Sequence, residues 1–263
     1  MSGFYIGIDG KARKVKGGYI GIDGVARKIK KGYIGVDGVA RLCWAAFDGD
    51  PVFANNTWED IAAACQAGVV PDTWSVGDQK TMTIDGVDYA IDIIGKNHDN
   101  YSDGSGKAPL TFQIHPVYKL LTMNAGDTNV GGWERSKMRT EHIPSIFEKM
   151  PESVRTSIRK VNKLTSAGGK SELITTTADD LFLLSEIEVF GVANFSLDGE
   201  GTQYEYHKTK ANRAKTLQGT GYSWWLRSPY KFDNAHFARV DTTGNGNAAV
   251  GSGSNGVAFA FCF

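Results

Sequence analysis

The chain has 263 residues, with 29 Lys plus Arg set against 29 Asp plus Glu. That length holds one large domain, or one ordinary domain with an appendage, and the balanced charge offers no net field to draw the chain to nucleic acid or an anionic membrane. No apolar run resembles a signal-peptide core or reaches the about eighteen residues that span a bilayer, so cytoplasmic synthesis without membrane insertion is expected.

The N-terminus repeats itself. YIGIDGKARKVKGG from Tyr5, YIGIDGVARKIKKG from Tyr19 and YIGVDGVARLCW from Tyr33 recur every fourteen residues. In each copy an alternating run meets Asp-Gly and then a second run. Asp-Gly supplies the positive φ angles of a type I′ turn, so each copy predicts a β-hairpin. A hairpin this short buries too little to stand alone, so the copies need partners. Lys11, Arg13, Lys14, Lys16, Arg27, Lys28, Lys30, Lys31 and Arg41 make the arm basic. They are read as solvated, Lys-protected strand edges, with docking to an acidic partner as the alternative.

From Phe47 the composition is that of a globular domain. Thr57 caps a helix that Gly68 and Pro71 stop, and Thr81–Ile84 and Val87–Ile94 form a second hairpin around Asp85-Gly86. Residues 133–149 and 151–163 are expected to be helical, the second opening on Pro151. Leu181–Leu184 predicts a short buried strand, and Ser185 to Glu188 has capping-box spacing. After Gly221 the chain turns polar and Gly-rich, but Trp224-Trp225-Leu226 and Val257–Phe263 bracket this run with core-like strands. An ordered surface loop and strand set is predicted.

Motifs for chemistry are scarce. No nucleophile elbow, phosphate loop or dinucleotide fingerprint is present. Gly199-Glu200-Gly201 lacks a preceding strand, and no two of His98, His115, His142, His207 and His236 have helical metal-site spacing. Asn97-His98-Asp99 with Tyr101 and Asp103 reads as a turn in preference to a cation loop. Asp179-Asp180 and Glu186 with Glu188 read as capping and surface charge. Cys43, Cys65 and Cys262 read as buried free thiols. No cofactor and no metal is expected.

Trp74–Asp78, Asn97-His98-Asp99, Gly131-Gly132-Trp133, Leu181–Ser185, GYSWWLRSP and the ending GVAFAFCF together resemble the DUF6273-type C-type-lectin-like domains of phage, prophage and gut bacterial proteins. Those domains are related to the variable proteins of diversity-generating retroelements. The resemblance covers residues 47–263. It implies an α+β, C-type-lectin-like domain, akin to the formylglycine-generating-enzyme fold, behind a β-hairpin repeat arm of residues 1–46. It further implies a variable surface at about 222–256, with Trp224, Trp225, Phe259 and Phe261 in the core; Arg227 reads as a buried hydrogen-bonding residue in preference to a direct ligand contact.

In such variable proteins, adenines of Asn codons are miscopied. AAC altered at its adenines yields Tyr, Asp, Ala, His, Arg, Thr, Val, Gly, Ser or Phe, but never Lys. Tyr230, Phe232, Asp233, Ala235, His236, Arg239, Asp241, Thr242, Thr243, Ala248, Ala249 and Val250 fall in that set and are the expected ligand-binding residues; Lys231 falls outside it. The expectation is a non-enzymatic phage tail-tip or receptor-binding protein of the virion. It would hold a bacterial cell-surface protein or glycan, join phage tail or fibre proteins through residues 1–46, and form a homo-oligomer, a trimer by analogy with fibres. A bacterial or prophage adhesin is the alternative. An enzyme on the formylglycine-generating-enzyme fold is disfavoured, because that chemistry needs paired active-site cysteines.

Overall fold

Turn chemistry shapes the first part of the chain. The computed structural model describes residues 5–263 except 9, 15–17, 30, 37, 46 and 48, and for parts of the first strands the backbone alone. The chain packs as two units, Met1–Ser75 and Val76–Phe263.

In the first unit β1 (Tyr5–Ile8) pairs with β2 (Lys11–Lys14), β3 (Gly18–Ile22) with β4 (Val25–Ile29), and β5 (Lys31–Val36) with β6 (Val39–Ala45), each pair a separate two-stranded sheet. The register recurs: Ile6 faces Arg13, Ile20 faces Arg27 and Ile34 faces Arg41. Asp23 (φ 53°) and Gly24 (φ 75°) hold the positive angles that the sequence demanded. Among the arm's basic side chains, those of Lys11 and Arg27 are exposed. Lys16, Lys30, the side chains of Arg13, Lys14, Lys28, Lys31 and Arg41, and the Cys43 thiol lie outside the described residues. Helix α1 (Trp58–Ala67) opens on the Thr57 capping box and ends at Gly68 in the left-handed region. Trp74 packs edge-on to Phe47 and Phe53, at 5.1 and 5.4 Å between ring centroids.

The second unit is a sheet-rich α+β fold. Its elements are β7 (Gln79–Ile84), β8 (Val87–Lys96), β9 (Leu110–Ile114), β10 (Leu120–Thr122), α2 (Gly132–Arg135), α3 (Ile143–Phe147), α4 (Glu152–Arg155), β11 (Val161–Ser166), β12 (Ile174–Asp179), β13 (Leu181–Phe182), α5 (Glu186–Phe190), β14 (Lys215–Leu217), β15 (Thr220–Tyr222), β16 (Trp224–Pro229), β17 (His236–Val240), β18 (Gly246–Val250), β19 (Ser254–Gly256) and β20 (Ala260–Cys262). One five-stranded sheet has the order β13-β20-β9-β8-β7, the other β10-β19-β16-β17-β18. β20 is thus hydrogen-bonded on both sides, and Phe261 faces Phe112 on β9 with rings stacked at 5.2 Å. Trp224, Trp225, Phe259 and Phe261 are all buried, as expected. The indole N–H groups of Trp224 and Trp225 donate to the carbonyls of Arg213 and Leu121, both at 2.8 Å.

Two expectations need correction. Residues 151–163 are not one helix: α4 spans Glu152–Arg155, and β11 begins at Val161. Burial along β11 alternates for its first four residues, and β11 pairs with the Thr-rich β12, a partner that helical periodicity could not reveal. Residues 133–149 are helical in pieces, broken where Ser136 turns extended (ψ 145°), with a π-helical turn at Met138–His142 between α2 and α3. The Leu181–Leu184 run is wholly buried, and its first two residues form β13.

Replacing Trp225 with Ala removes a buried ring from the centre of the second sheet. The expected loss is roughly 3–5 kcal/mol of unfolding free energy, read by urea denaturation. A loss below about 1 kcal/mol would contradict a core role.

Candidate ligand-binding surface

The surface begins with a buried charge. Arg227 on β16 is fully buried, and every guanidinium nitrogen has an acceptor. Nε donates to Thr165 Oγ1 at 2.9 Å, Nη1 to the Leu183 carbonyl at 2.8 Å, and Nη1 and Nη2 hold the Glu188 carboxylate at 2.5 and 3.0 Å. Lys163 Nζ, also buried, lies 2.6 Å from Glu188 Oε1 and 2.7 Å from Asp99 Oδ1. Tyr204 donates its hydroxyl to Asp99 at 2.8 Å. Burial works against both carboxylates, yet Lys163 and His98 hold Asp99 below the usual carboxylate range, and Arg227 and Lys163 do the same for Glu188. Asp99 is therefore committed to a buried lysine.

Glu186 and Glu188 are buried, which corrects their reading as surface charge. Glu188 does close the capping box with Ser185. The Glu186 carboxylate accepts the backbone N–H groups of Asn194, Phe195 and Ser196 at 2.7–3.0 Å. Asp179 is buried as well, accepting from Trp133 Nε1 at 2.9 Å and Arg139 Nε at 2.7 Å. Glu200 accepts the Ser166 N–H at 2.8 Å and also accepts from the Ser228 hydroxyl.

Beyond Pro229 the backbone leaves the core and is gripped by one side chain. Asn129 is fully buried; its Nδ2 donates to the carbonyls of Tyr230, Asp233 and His236 at 3.1, 3.0 and 2.8 Å, while its Oδ1 accepts the Gly169 N–H at 2.8 Å. Asp233 Oδ1 accepts the N–H groups of Ala235 and His236 at 2.8 and 3.0 Å, and its Oδ2 meets His236 Nδ1 at 2.7 Å. Burial pushes the Asp233 carboxyl up, but these hydrogen bonds hold it below its ordinary value. At the β17–β18 turn Asp241 Oδ1 accepts the N–H groups of Thr243 and Asn245 at 2.8 and 2.9 Å.

None of the twelve expected ligand-binding residues is fully buried. Phe232, Thr242 and Thr243 are exposed, and Tyr230, Asp233, Ala235, His236, Arg239, Asp241, Ala248, Ala249 and Val250 are half-buried. They do not form one patch. The Tyr230 ring lies 5.3 Å from Phe232 and 5.9 Å from His236, and His236 faces Val250 across the strands. Asp241, Thr242 and Thr243 sit at the other end of β17, about 13 Å away at ~3.3 Å per residue. Arg239 points to the opposite face from His236, since side chains alternate along a strand, and its Nη1 donates to Asn255 Oδ1 at 2.8 Å.

Three of the other four histidines have structural neighbours: His98 stacks on Tyr204, His115 pairs with Asp92 at 2.8 Å, and His207 meets Gln113 at 2.9 Å, while His142 ends the π-helical turn. Cys65 and Cys262 are buried free thiols, and burial pushes Cys65 up to about 12 and Cys262 well above its ordinary value. Lys163, Asn129 and Glu200 organise the surface from beneath and carry no local sequence signal.

An α+β domain that folds its closing strand into the core and fixes a polar strand-and-loop surface from below defines the class of protein. Residues 119–263, more than half of the chain, match the family described as "Domain of unknown function (DUF6273)", and the chain belongs to that family. Searches of curated proteins and of solved structures return no match.

Burial raises the Glu200 carboxyl to about 7, so folding favours its protonated form. Its contribution is full below the unfolded value near 4.5 and is lost as pH rises through about 7, a change of roughly 3 kcal/mol at ~1.4 kcal/mol per unit. Glu200→Gln should flatten that fall, and urea titrations from pH 4.5 to 7.5 check it; equal slopes in both proteins would refute it. Asn129→Ala strips the Tyr230 and Asp233 carbonyls of the Asn129 donor and leaves the His236 carbonyl with the Tyr230 N–H alone. The expected cost is about 1–3 kcal/mol, with faster amide exchange across residues 230–236.

Proposed function

We propose that this chain is a non-enzymatic binding protein, a phage tail-tip or receptor-binding protein. In this reading its C-type-lectin-like domain recognises a bacterial surface ligand through a diversifiable C-terminal surface. The observation that carries it is the separation of scaffold from display in residues 230–236. Their backbone is held by the buried Asn129, while the Tyr230, Phe232 and His236 side chains stay partly open to solvent. A backbone fixed from below tolerates changes in its outward side chains, and exposed aromatics give contact area at low entropic cost. The residues expected to vary fit this division, since none of them belongs to the buried charge network.

The repeat arm is proposed as the module for assembly and for joining other virion proteins, in a homo-oligomer. Its hairpins leave Tyr19, Ile20, Val25, Tyr33, Ile34 and Val39 exposed, which favours a partner. A prophage-encoded adhesin would use the same surface. The protonated state of the buried Cys65 and Cys262 thiols speaks against thiolate chemistry.

The test is to replace Tyr230, Phe232 and His236 together with Ala. Asp241 is left intact because its carboxylate builds a turn. Attachment to bacterial cells should be abolished, with unfolding free energy lowered by no more than about 2 kcal/mol. A folded triple variant that attaches like the wild type would place recognition elsewhere.

A further inference from the structure

One strand of the outer surface has an open side. β18 is the edge of its five-stranded sheet and pairs only with β17, where His236 faces Val250 and Val240 faces Gly246. The same register continues past both ends: the Asp241 N–H donates to the Asn245 carbonyl and the Gly251 N–H to the Ala235 carbonyl, both at 2.8 Å. Hydrogen-bonded pairs alternate along an antiparallel ladder, so Asn247 and Ala249 turn their N–H and C=O groups to β17, and Gly246, Ala248 and Val250 turn theirs outward. The His236 carbonyl, opposite Val250, points away from β18 and accepts the Tyr230 N–H at 2.9 Å, which agrees with that assignment.

Two of the outward groups are met locally. The Ala248 N–H donates to Asn247 Oδ1 at 2.7 Å, and the Val250 carbonyl accepts the Gly253 N–H at 2.9 Å. Among the described residues, the Gly246 N–H and C=O, the Ala248 C=O and the Val250 N–H have no partner. Natural edge strands are guarded by brevity, Lys, Pro or a bulge. The other outer strands of the two large sheets follow that rule, since β10 and β13 have three and two residues and β7 carries Lys80. β18 runs for five residues with no Lys, no Pro and no register shift. One of its faces is lined as well. A Cβ on Gly246 would lie 2.9 Å from the Phe195 ring and 3.6 Å from that of Phe190, so these half-buried rings flank the face that Gly246, Ala248 and Val250 share.

Resting on the proposed reading of the C-terminal stretch as a recognition surface, we infer that β18 takes an extended segment of a partner polypeptide as a sixth strand of its sheet. Open donors and acceptors at strand spacing are matched by another extended backbone, which offers both at every second residue. The hydroxyls of a glycan have no such fixed period. Main-chain bonds give this kind of complex its affinity, and contacts to alternate side chains give it selectivity. Here Phe190 and Phe195 favour apolar side chains at every second position of the segment. Ala248 and Ala249 have almost no side chain to offer, so this end of the surface recognises through its backbone. A second copy of the chain fits less well, because the basic excess lies in residues 1–46 and pairing two β18 strands sets one acidic body against another.

The test selects binders of the full-length chain from a displayed library of short random peptides and measures them by biolayer interferometry on wild type and Ala248→Pro. Proline at 248 removes an N–H that β17 does not use, so the ladder stays while the outer edge is blocked. Ala248→Pro should weaken the selected peptides at least tenfold with an unchanged melting midpoint. N-methylation of each peptide residue in turn should abolish binding at every second position and spare those between, and this pattern decides the matter where Ala248→Pro melts early. No selected peptide, equal binding by a folded Ala248→Pro, or N-methyl losses without a period of two would overturn the inference. On bacterial cells, attachment by a folded Ala248→Pro with none by the Tyr230/Phe232/His236 triple variant would also overturn it and leave the proposed function standing. Unaltered attachment by both variants would overturn both. A concentration-dependent dimer in sedimentation that Ala248→Pro abolishes would make a second copy the occupant, which again overturns the inference.

Discussion

The buried pairing of Arg227 with Glu188, extended through Lys163 to Asp99, is the constraint on which the larger unit depends. Two cations and two anions out of water are tolerable only when each lone pair and N–H has a partner. Besides the Leu183 carbonyl and the Tyr204 hydroxyl, the partners come from five places: β16, α5, β11, the 97–99 loop and the carbonyl of Glu200. Two more carboxylates lie in the same region and are settled differently. Glu186 receives three backbone N–H groups, and Glu200 keeps its proton up to about pH 7. Neither carboxylate takes a buried cation as its hydrogen-bond partner. Such an arrangement adds little net stability over an apolar core, but a misplaced segment would strand a charge, so it favours one relative placement of the five.

That placement is what the outer surface inherits. β16 carries Arg227 and Ser228 in the core, and two residues later Tyr230 opens the loop that Asn129 holds. The ordering is inside-out: ions set the strand, the strand sets the loop entry, and the Asn129 amide with backbone bonds to Asn129 and Phe195 fixes the loop backbone. Asp233 and Asp241 then shape local turns through their own side chains. Of the twelve residues, those with side chains left for contact are chiefly Tyr230, Phe232 and His236 at one end and Thr242 at the other.

Local features were legible in the sequence because their causes are local. Asp-Gly turns, the Thr57 and Ser185 caps and the brackets of Trp224–Leu226 and Val257–Phe263 each rest on residues a few positions apart. The failures share a different cause. β11 is a strand because β12 pairs with it, and Glu186 is buried because residues 194–196 fold over it. Asn129 looks like a loop asparagine, and Lys163 like a solvated lysine. Their partners lie between 25 and 107 positions away, beyond the reach of any periodicity. The expected ligand-binding residues rest on codon logic and resemblance, and the structure spreads them over two ends and two faces of β17 and its neighbours.

The arm obeys the opposite economy. Its register is dictated by the turn, so Ile meets Arg and Gly meets Ala at the same places in all three hairpins, whatever surrounds them. What the turn cannot supply is burial: Ile20, Ile22 and Val25 share one hairpin and stay exposed. Isolated two-stranded ribbons with open apolar side chains are marginal in water. Residues 1–46 hold nine basic and three acidic residues, leaving twenty and twenty-six for the remainder of the chain. A neutral chain is therefore divided into a basic repeat and an acidic body. A surface that covered the repeats would have to counter that positive charge.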